Sequence, residues 1–224
     1  MSSQDLTGRT AIITGASRGI GLAIAQQLAA AGANVVLTAR KQEAAEQAAA
    51  QVGDKAVGVG AHAVDEEGAR RCVHLTLERF GSVDILVNNA GTNPAYGRLI
   101  DQDHARFAKI FDVNLWAPLL WTSVVVKSWM GEHGGTVVNT ASIGGLHQSP
   151  AMGLYNATKA ALIHVTKQLA LELSPGIRVN GICPGVVRTR LAEALWKDHE
   201  GPLASSIALG RIGEPIDVAG AVAF

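Results

Sequence analysis

Short apolar runs alternate along the chain with longer segments in which apolar residues recur every three or four positions. The short runs are rich in Val and Ile and show little polar alternation, which is typical of strands buried on both faces. Strands of this kind, separated by helix-length segments, predict a parallel sheet that is covered by helices on both sides. The predicted strands span residues 10–14, 34–39, 56–63, 85–88, 136–140 and 177–183.

The segments between these runs carry helical signals. Ile20, Ile24 and Leu28 share one face of a helix that follows the first strand, and the acidic residues 65–67 open another helix. No charge block, low-complexity tract or linker divides the chain. The pattern predicts the α/β class: one domain over residues 1–224, with a doubly wound, Rossmann-like parallel sheet and helices on both faces.

The last predicted helix begins at Glu214-Pro215-Ile216-Asp217, where a proline suits the first turn. The sequence stops at Phe224, within that helix and with no strand after it. An α/β domain of this class is expected to return to its sheet at this point. We therefore expect that a C-terminal strand is missing and that the natural protein continues.

Composition and charge exclude several classes of protein. Hydrophobic residues make up 48% of the chain and charged residues 17%, which excludes global disorder. Lys plus Arg and Asp plus Glu both number 19, so no field of one sign exists to recruit nucleic acid or an anionic membrane. The sequence contains no apolar stretch of signal-peptide or membrane-span length, and we expect a cytoplasmic protein.

Cysteine and histidine spacing argues against disulfide and metal sites. Cys72 and Cys183 lie far apart without a CxxC motif, and the histidines form no HxH or HExxH pair. We therefore expect no disulfide framework and no bound metal. Cys183, between an apolar strand and a proline, is expected to be a buried small hydrophobic residue.

A glycine-rich turn, TGASRGIG, joins the first predicted strand to the first helix. Such a turn lets a pyrophosphate approach backbone N–H groups at a helix N-terminus, where the helix dipole favours anions. The alternative is an ordinary tight turn, but the strand–turn–helix context favours nucleotide binding. The candidate contacts are Gly15, Ser17, Arg18, Gly19, Ile20 and Gly21.

The glycine spacing differs from the G-x-G-x-x-G of the general dinucleotide fingerprint and resembles the turn of the short-chain dehydrogenase/reductase family. Further motifs follow in that family's order: the NNAG sequence at 88–91, Asn114, Ser142, Tyr155-x-x-x-Lys159, Pro184-Gly185 and Thr189. The resemblance covers essentially the whole chain, apart from the family's last strand and C-terminal segment. It implies an oxidoreductase that is closest in motif pattern to NADPH-dependent 3-oxoacyl-[acyl-carrier-protein] reductases and carbonyl reductases.

The chemistry of four residues agrees with this resemblance. Tyr155 and Lys159 share a helix face, and the ammonium is expected to lower the pKa of the phenol, which suits proton transfer to a carbonyl. Ser142 follows a strand at the sheet edge where ligands bind, and its hydroxyl can polarise the same oxygen. The resemblance implies that Lys159 also holds the nicotinamide ribose and that Asn114 orders a relay water. The alternatives are that Ser142 caps a helix and that Asn114 accommodates a helix irregularity before Pro118.

The end of the second strand predicts NADP(H) rather than NAD(H). An acidic residue there would bind the ribose 2′-OH of NAD, but the position holds Ala39, followed by Arg40. The guanidinium groups of Arg40 and Arg18 suit a phosphate, although both are alternatively solvated surface charges. The resemblance implies that Asp65 binds the adenine amino group; alternatively it only N-caps a helix. The other candidate cofactor residues are Asn88, Ala90, Gly91, Tyr155, Lys159, Pro184, Gly185, Val187 and Thr189.

The predicted substrate lining is mainly apolar and contains no Arg or Lys that would hold a small carboxylate. This favours a hydrophobic ketone or an acyl thioester as the substrate. The candidate substrate residues are Asn93, Gly144, Leu146, Gln148, Met152 and Trp196.

The predicted helix 115–130 carries Lys127 as its only charge, so it needs cover on every face. The sheet covers one side, and a second subunit is expected to cover the other, together with the helix 155–173. The resulting prediction is a homo-oligomer, and the resemblance implies a tetramer. Two alternative functions stay open: an NAD-dependent secondary-alcohol dehydrogenase, and a non-catalytic NADP(H)-binding sensor or scaffold.

Overall fold

Six strands lie side by side in one sheet, and every neighbouring pair is parallel. The strands are β1 (Thr10–Ile13), β2 (Asn34–Ala39), β3 (Ala56–Gly60), β4 (Ile85–Asn88), β5 (Gly135–Thr140) and β6 (Ile177–Ile182). Their order in the sheet of this computed structural model, which describes residues 5–223, is β3-β2-β1-β4-β5-β6. The order reverses between β1 and β4, so the predicted doubly wound, Rossmann-like α/β fold is confirmed.

The helices are α1 (Gly19–Ala30), α2 (Gln42–Val52), α3 (Glu66–Phe80), α4 (His104–Phe111), α5 (Ala117–Val125), α6 (Gly131–His133), α7 (Gly153–Glu172), α8 (Glu193–Trp196), α9 (Glu200–Ser206) and α10 (Pro215–Ala223). Two separate apolar cores lie on the two faces of the sheet. One joins alternate strand residues to α1, α2 and α10, and the other joins the remaining strand residues to α3, α5 and α7. Helices therefore cover both faces, as the apolar strands require.

Three strand predictions were too long, and the first of them, 10–14, ends one residue earlier at Ile13. The chain leaves the sheet after Gly60, where Ala61 makes a last bond from its N–H to the oxygen of Ala39 (2.8 Å), so residues 61–63 are a connection and not strand. The strand predicted to Cys183 ends at Ile182. β6 lies at the sheet edge, and its residues alternate between buried and exposed rather than being covered on both faces.

The predicted helix 115–130 lies inside a longer helical run from α4 to α6. Two stretches of this run are π-helical, Asp112–Trp116 before α5 and Val126–Met130 after it. Each inserts an extra residue into the turn, which changes the direction in which the neighbouring side chains point. Asn114 lies in the first of them.

No helix within residues 5–223 is long and apolar enough to cross a membrane, and that range contains no cluster of candidate metal ligands. The predictions about the two chain ends fall partly on residues 1–4 and 224, which lie outside the described residues.

Candidate active site

The turn between β1 and α1 leaves its backbone bare. Gly15 and Gly19 have φ angles of +63° and +57°, in the left-handed region that favours glycine. A Cβ on Gly15 would lie 2.8 Å from the Cα of Ala90, so this turn touches the loop after β4. Because α1 begins at Gly19, its unpaired N–H groups lie at the carboxyl edge of the sheet and provide an anion site.

Two residues that the sequence analysis did not select fix this turn. The Thr14 hydroxyl accepts hydrogen bonds from the N–H groups of Asn89 (3.0 Å) and Ala90 (3.1 Å). In return, the Asn89 amide donates to the carbonyls of Thr14 (3.1 Å) and Gly15 (3.2 Å). Both residues belong to the recognised motifs, so the signal was present, but their role is to hold the two loops together.

The neighbouring Asn88 has a different environment. Its side chain is buried and donates to Asn139 (2.9 Å) and to the Thr122 hydroxyl (3.2 Å). Asn139 in turn donates to Thr166 on α7 (2.9 Å). The amide of Asn88 therefore ties β4 and β5 to α5 and α7, and only its main chain is left to border a cofactor.

Tyr155 and Lys159 lie one turn apart near the start of α7. The Lys159 Nζ is 5.7 Å from the centre of the Tyr155 ring and donates to the carbonyl of Thr140 (2.7 Å), at the end of β5. Lys159 is only 4% exposed, which is unusual for a lysine and requires such a partner. Ser142 follows β5 and lies beside the phenol, so the structure brings these three predicted residues together.

Burial dominates the ionisation of both groups. It raises the pKa of Tyr155, and the Ser142 hydroxyl only partly opposes this shift. Burial also lowers the pKa of Lys159 to about 8, and Cys183 nearby opposes that shift. The expectation of a lowered pKa for Tyr155 is therefore wrong for this structure, because burial outweighs the groups that favour the phenolate. The phenol is protonated at neutral pH, which is the form that donates a proton.

Asn114 joins the loop after β4 to α7. Its side-chain oxygen accepts from the N–H of Thr92 (2.8 Å), and its NH₂ donates to the carbonyl of Thr92 (2.9 Å) and to Thr158 (3.2 Å). A Cβ placed on Gly91 would lie 3.7 Å from this oxygen and 3.9 Å from the Lys159 Nζ. Gly91 thus leaves open space between Asn114 and Lys159.

Ser142 also caps the short 3-10 helix Ile143–Gly145, because its hydroxyl accepts from the N–H of Gly144 (3.1 Å). This turn presses on α7: a Cβ on Gly145 would lie 2.7 Å from the main chain of Lys159. The catalytic interpretation of Ser142 and the capping alternative are therefore compatible, since the cap orients the hydroxyl.

The predicted substrate residues lie on several elements at this side of the molecule. Gly144 and Gln148 line a cavity of about 300 Å³, whose other lining includes Leu99, His147 and Asn156. Asn93 donates to the sulfur of Met152 (3.2 Å), which joins the loop after β4 to the start of α7. Leu146 is exposed, and Trp196 lies on α8 after β6. Their assignment to substrate binding stays a prediction.

Two exposed basic residues lie close to the carboxyl ends of β1 and β2. Arg40 directly follows β2 and Arg18 precedes α1, and neither guanidinium has an ion-pair partner among residues 5–223. Asp65 occupies the N-cap position of α3 without a capping bond from its side chain. His62 is exposed and directly follows Ala61, which makes the last bond between the chain after β3 and β2.

The loop after β6 returns to the glycine turn. The Thr189 methyl lies 3.4 Å from the position of a Cβ on Gly19, and the carbonyl of Pro184 accepts from the N–H of Ile143 (2.9 Å). Cys183 is exposed, so its predicted burial is wrong. The reason is that β6 is an edge strand that ends one residue earlier, where the sheet no longer shields the side chain.

Comparison with known proteins places these features in context. A family model described as short chain dehydrogenase matches residues 9–200. Relatives named dehydrogenase/reductase SDR family member 4 include one from Caenorhabditis elegans, 38% identical over 97% of this chain and 87% of the relative. The one from Oryctolagus cuniculus is 40% identical over 98% of this chain and 86% of the relative.

Solved structures agree in fold. A glucose/ribitol dehydrogenase of the short-chain class from Brucella melitensis superposes with a TM-score of 0.93 at 31% identity, covering 99% of this chain and 90% of that chain. A 3-ketoacyl-(acyl-carrier-protein) reductase from the same organism, complexed with NADH, gives a TM-score of 0.91 at 35% identity, over 98% and 91% of the two chains.

Proposed function

This chain belongs to the short-chain dehydrogenase family, and from this premise we propose that it reduces a hydrophobic ketone or a 3-oxoacyl thioester with NADPH. Membership itself establishes an oxidoreductase that interconverts ketones and secondary alcohols. The proposed carbonyl chemistry is carried by one observation: Tyr155, whose pKa is raised by burial, lies beside both Ser142 and a buried Lys159 at the carboxyl edge of the sheet.

We assign the proton transfer in this reaction to residues of the chain itself. A reduced nicotinamide, when bound, supplies hydride to the carbonyl carbon. The Tyr155 hydroxyl donates its proton to the carbonyl oxygen, while the Ser142 hydroxyl donates a hydrogen bond to the same oxygen. The Lys159 ammonium stabilises the phenolate that remains, and in the oxidative direction the same groups act in reverse.

The carboxyl edge of the sheet suits a dinucleotide because glycines leave its backbone bare. Gly15 keeps the first turn in contact with the backbone after β4, and Gly21 lies against the Asn89 amide and the main chain of the turn itself. A Cβ on Gly185 would meet nothing within 4 Å, and one on Gly91 nothing within 3.7 Å. Bare backbone on both sides of the carboxyl edge supports binding of a flat, extended cofactor.

The preference for NADP(H) rests on the end of β2. Ala39 offers no carboxylate to the ribose 2′-OH, and Arg40 follows it without an ion-pair partner among the described residues. Two guanidinium groups, those of Arg18 and Arg40, are available to a 2′-phosphate from opposite sides. The Brucella reductase was solved with NADH, which makes an NAD-dependent alcohol dehydrogenase the second candidate.

A panel assay separates these candidates. Ketones, a 3-oxoacyl thioester and secondary alcohols are assayed with NADPH, NADH and their oxidised forms. We expect kcat/KM to be highest for NADPH with an apolar carbonyl substrate. With NADH and the same substrate, kcat/KM should be lower by about a hundredfold or more. Equal values for the two cofactors, or turnover confined to alcohols and NAD, would overturn the proposal.

Arg40→Leu tests the assigned cofactor contact. We expect the NADPH-to-NADH preference to fall by about tenfold or more, because one charge-assisted hydrogen bond is lost. Arg106→Leu is the matched control, since Arg106 is an exposed arginine on α4 paired with Asp103. An unchanged preference in Arg40→Leu would show that Arg40 is a solvated surface charge.

A further inference from the structure

The chain between β6 and α10 leaves the sheet at its carboxyl edge and forms a long connection that contains two short helices. We call residues 189–211 the lid segment; it contains α8 and α9. The structure describes the whole segment, and none of its side chains is fully buried. Segments with so little apolar burial have low local stability, so a few polar contacts decide their position.

The two ends of the lid segment are joined at a narrow neck. The N–H of Arg188 donates to the carbonyl of Gly213 (2.8 Å), and the N–H of Gly213 donates to the carbonyl of Val186 (3.0 Å). The neck fixes where the segment begins and ends but does not fix α8 or α9. Their orientation depends on contacts made beyond the neck.

Arg211, at the end of the segment, pairs with Asp217 on α10 (2.7 and 2.9 Å), whereas the side-chain contacts of α8 and α9 with the neck are made by Arg188. The Arg188 guanidinium donates to both carboxylate oxygens of Glu200 on α9 (2.7 and 3.0 Å) and to Glu214 beyond the neck (2.9 Å). Its central carbon lies 4.9 Å from the ring centre of Trp196 on α8. A single residue at the neck thus holds α8, α9 and the start of α10 together.

The chemistry of this cluster suits a durable contact. The planar guanidinium matches a carboxylate with two parallel hydrogen bonds and also stacks on an aromatic face, which a lysine does not reproduce. Arg188 lowers the pKa of Glu200, so the pair stays ionised at neutral pH. By contrast, the pair of Lys197 with Glu193 (2.9 Å) lies within the α8 region and does not reach the neck.

Arg188 also adjoins the glycine turn. The next residue, Thr189, places its methyl 3.4 Å from the Cβ position of Gly19, at the start of α1. Val187, on the other side, is buried and paired with Gly213. The lid segment therefore begins at Thr189, the residue that faces the phosphate end of the proposed cofactor groove, directly after the residue that holds α9.

We propose that Arg188 is a positioning residue that holds the lid segment through Glu200 and Trp196 and thereby slows the release of bound NADP(H). The part concerning the cofactor rests on the proposed function, whereas the part concerning the lid does not.

Hydrogen exchange of the lid amides tests the first part without reference to activity. Arg188→Gln and Glu200→Gln are compared with Lys197→Met, which removes an ion pair of the same lid without touching the neck. We expect exchange in α8 and α9 to become about fivefold or more faster in the first two variants only, with Arg188→Lys intermediate. Unchanged exchange in Glu200→Gln, or an equal effect of Lys197→Met, would overturn the clamp.

Stopped-flow displacement of NADPH tests the second part. We expect release to be about threefold or more faster in Arg188→Gln and Glu200→Gln than in the wild type and in Lys197→Met. A loosened lid with an unchanged release rate would contradict the link to the cofactor. A protein that binds no NADPH would refute the proposed function, while the exchange experiment would still decide the clamp.

Discussion

Burial disfavours the charged forms of the two titratable groups of the site, the Tyr155 phenol and the Lys159 amine. The pKa of Tyr155 is raised, and that of Lys159 is lowered to about 8. The buried ammonium is kept in place by the carbonyl of Thr140, at 2.7 Å. A charge that is costly in the resting protein is thus available where a phenolate would form, which is typical of catalytic sites.

Tyr155→Phe should lower kcat by about 10²–10⁴-fold, because the variant has no proton to give to the carbonyl oxygen. Cofactor binding, measured by NADPH fluorescence, should stay close to wild type. Tyr96→Phe is the matched control, since Tyr96 is the other tyrosine of the chain and is 65% exposed. Substantial residual turnover in purified Tyr155→Phe would contradict the assignment.

Lys159→Met should abolish turnover without a loss of folding stability at pH 7. The unfolded chain binds the Lys159 proton more tightly than the folded chain, whose value is about 8. Between that pH and about 10.5 the unfolded state therefore carries more protons, so the free energy of unfolding of the wild type should rise with pH.

The comparison is made by urea unfolding of wild type and variant across this pH window. The wild type should gain stability relative to Lys159→Met as pH rises through about 8 to 10.5, because the buried charge is lost. If the wild type instead loses stability relative to Lys159→Met over this range, the folded protein binds the Lys159 proton more tightly than the unfolded chain does, which contradicts a lowered pKa.

Close approach between elements also depends on single residues. A Cβ on Gly58, in β3, would collide with the main chain of Ala45 and Glu46 in α2, so helix and strand backbones are in direct contact there. The Gln42 side chain at the start of α2 further donates to the carbonyl of Gly58 (3.0 Å). This contact fixes β3 against the start of α2.

Gly58→Ala should lower the free energy of unfolding by about 1–3 kcal/mol, because α2 must move away from the sheet. Gly220→Ala in α10 is the control: no atom lies within 4 Å of its Cβ position, so it should be neutral or slightly stabilising. Chemical denaturation measures both. Equal effects of the two changes would contradict the close packing of α2 on β3.

The helical run from α4 to α6 exposes large aromatic side chains on its solvent-facing side. Trp116 is 53% exposed and Phe107 is 42% exposed, although Trp121 on the inner side is 1% exposed. The Phe107 ring stacks on Phe111 with 4.3 Å between centres. Large aromatic groups that face solvent in this way are typical of subunit contacts, and they support the proposed homo-oligomer.

Light scattering at micromolar concentration should show an oligomer, with a tetramer proposed from the family. Trp116→Glu should shift it toward smaller species, because a charge would be buried at the contact. Leu209→Glu serves as the control, since Leu209 is 78% exposed in the lid segment and lies far along the chain from this helix. A wild-type monomer would overturn the proposal.

The sequence by itself determined the order of elements, the glycine turn and the positions of Ser142, Tyr155 and Lys159. These features depend on local signals: β-branched runs, a glycine required at positive φ, and an i,i+4 spacing on one helix. The predicted sheet and its doubly wound order were confirmed for this reason. The assigned roles of the residues stay predictions until the variants are measured.

Only the tertiary structure decided which side chains face the site. The burial of the Asn88 amide against Asn139 depends on a contact between residues 51 positions apart. The exposure of Cys183 follows from its strand lying at the sheet edge. The raised pKa of Tyr155 and the convergence of Glu200 and Glu214 on Arg188 likewise arise from desolvation and packing between distant segments. No local pattern encodes such contacts, because burial is a property of the assembled layers and not of the neighbours along the chain.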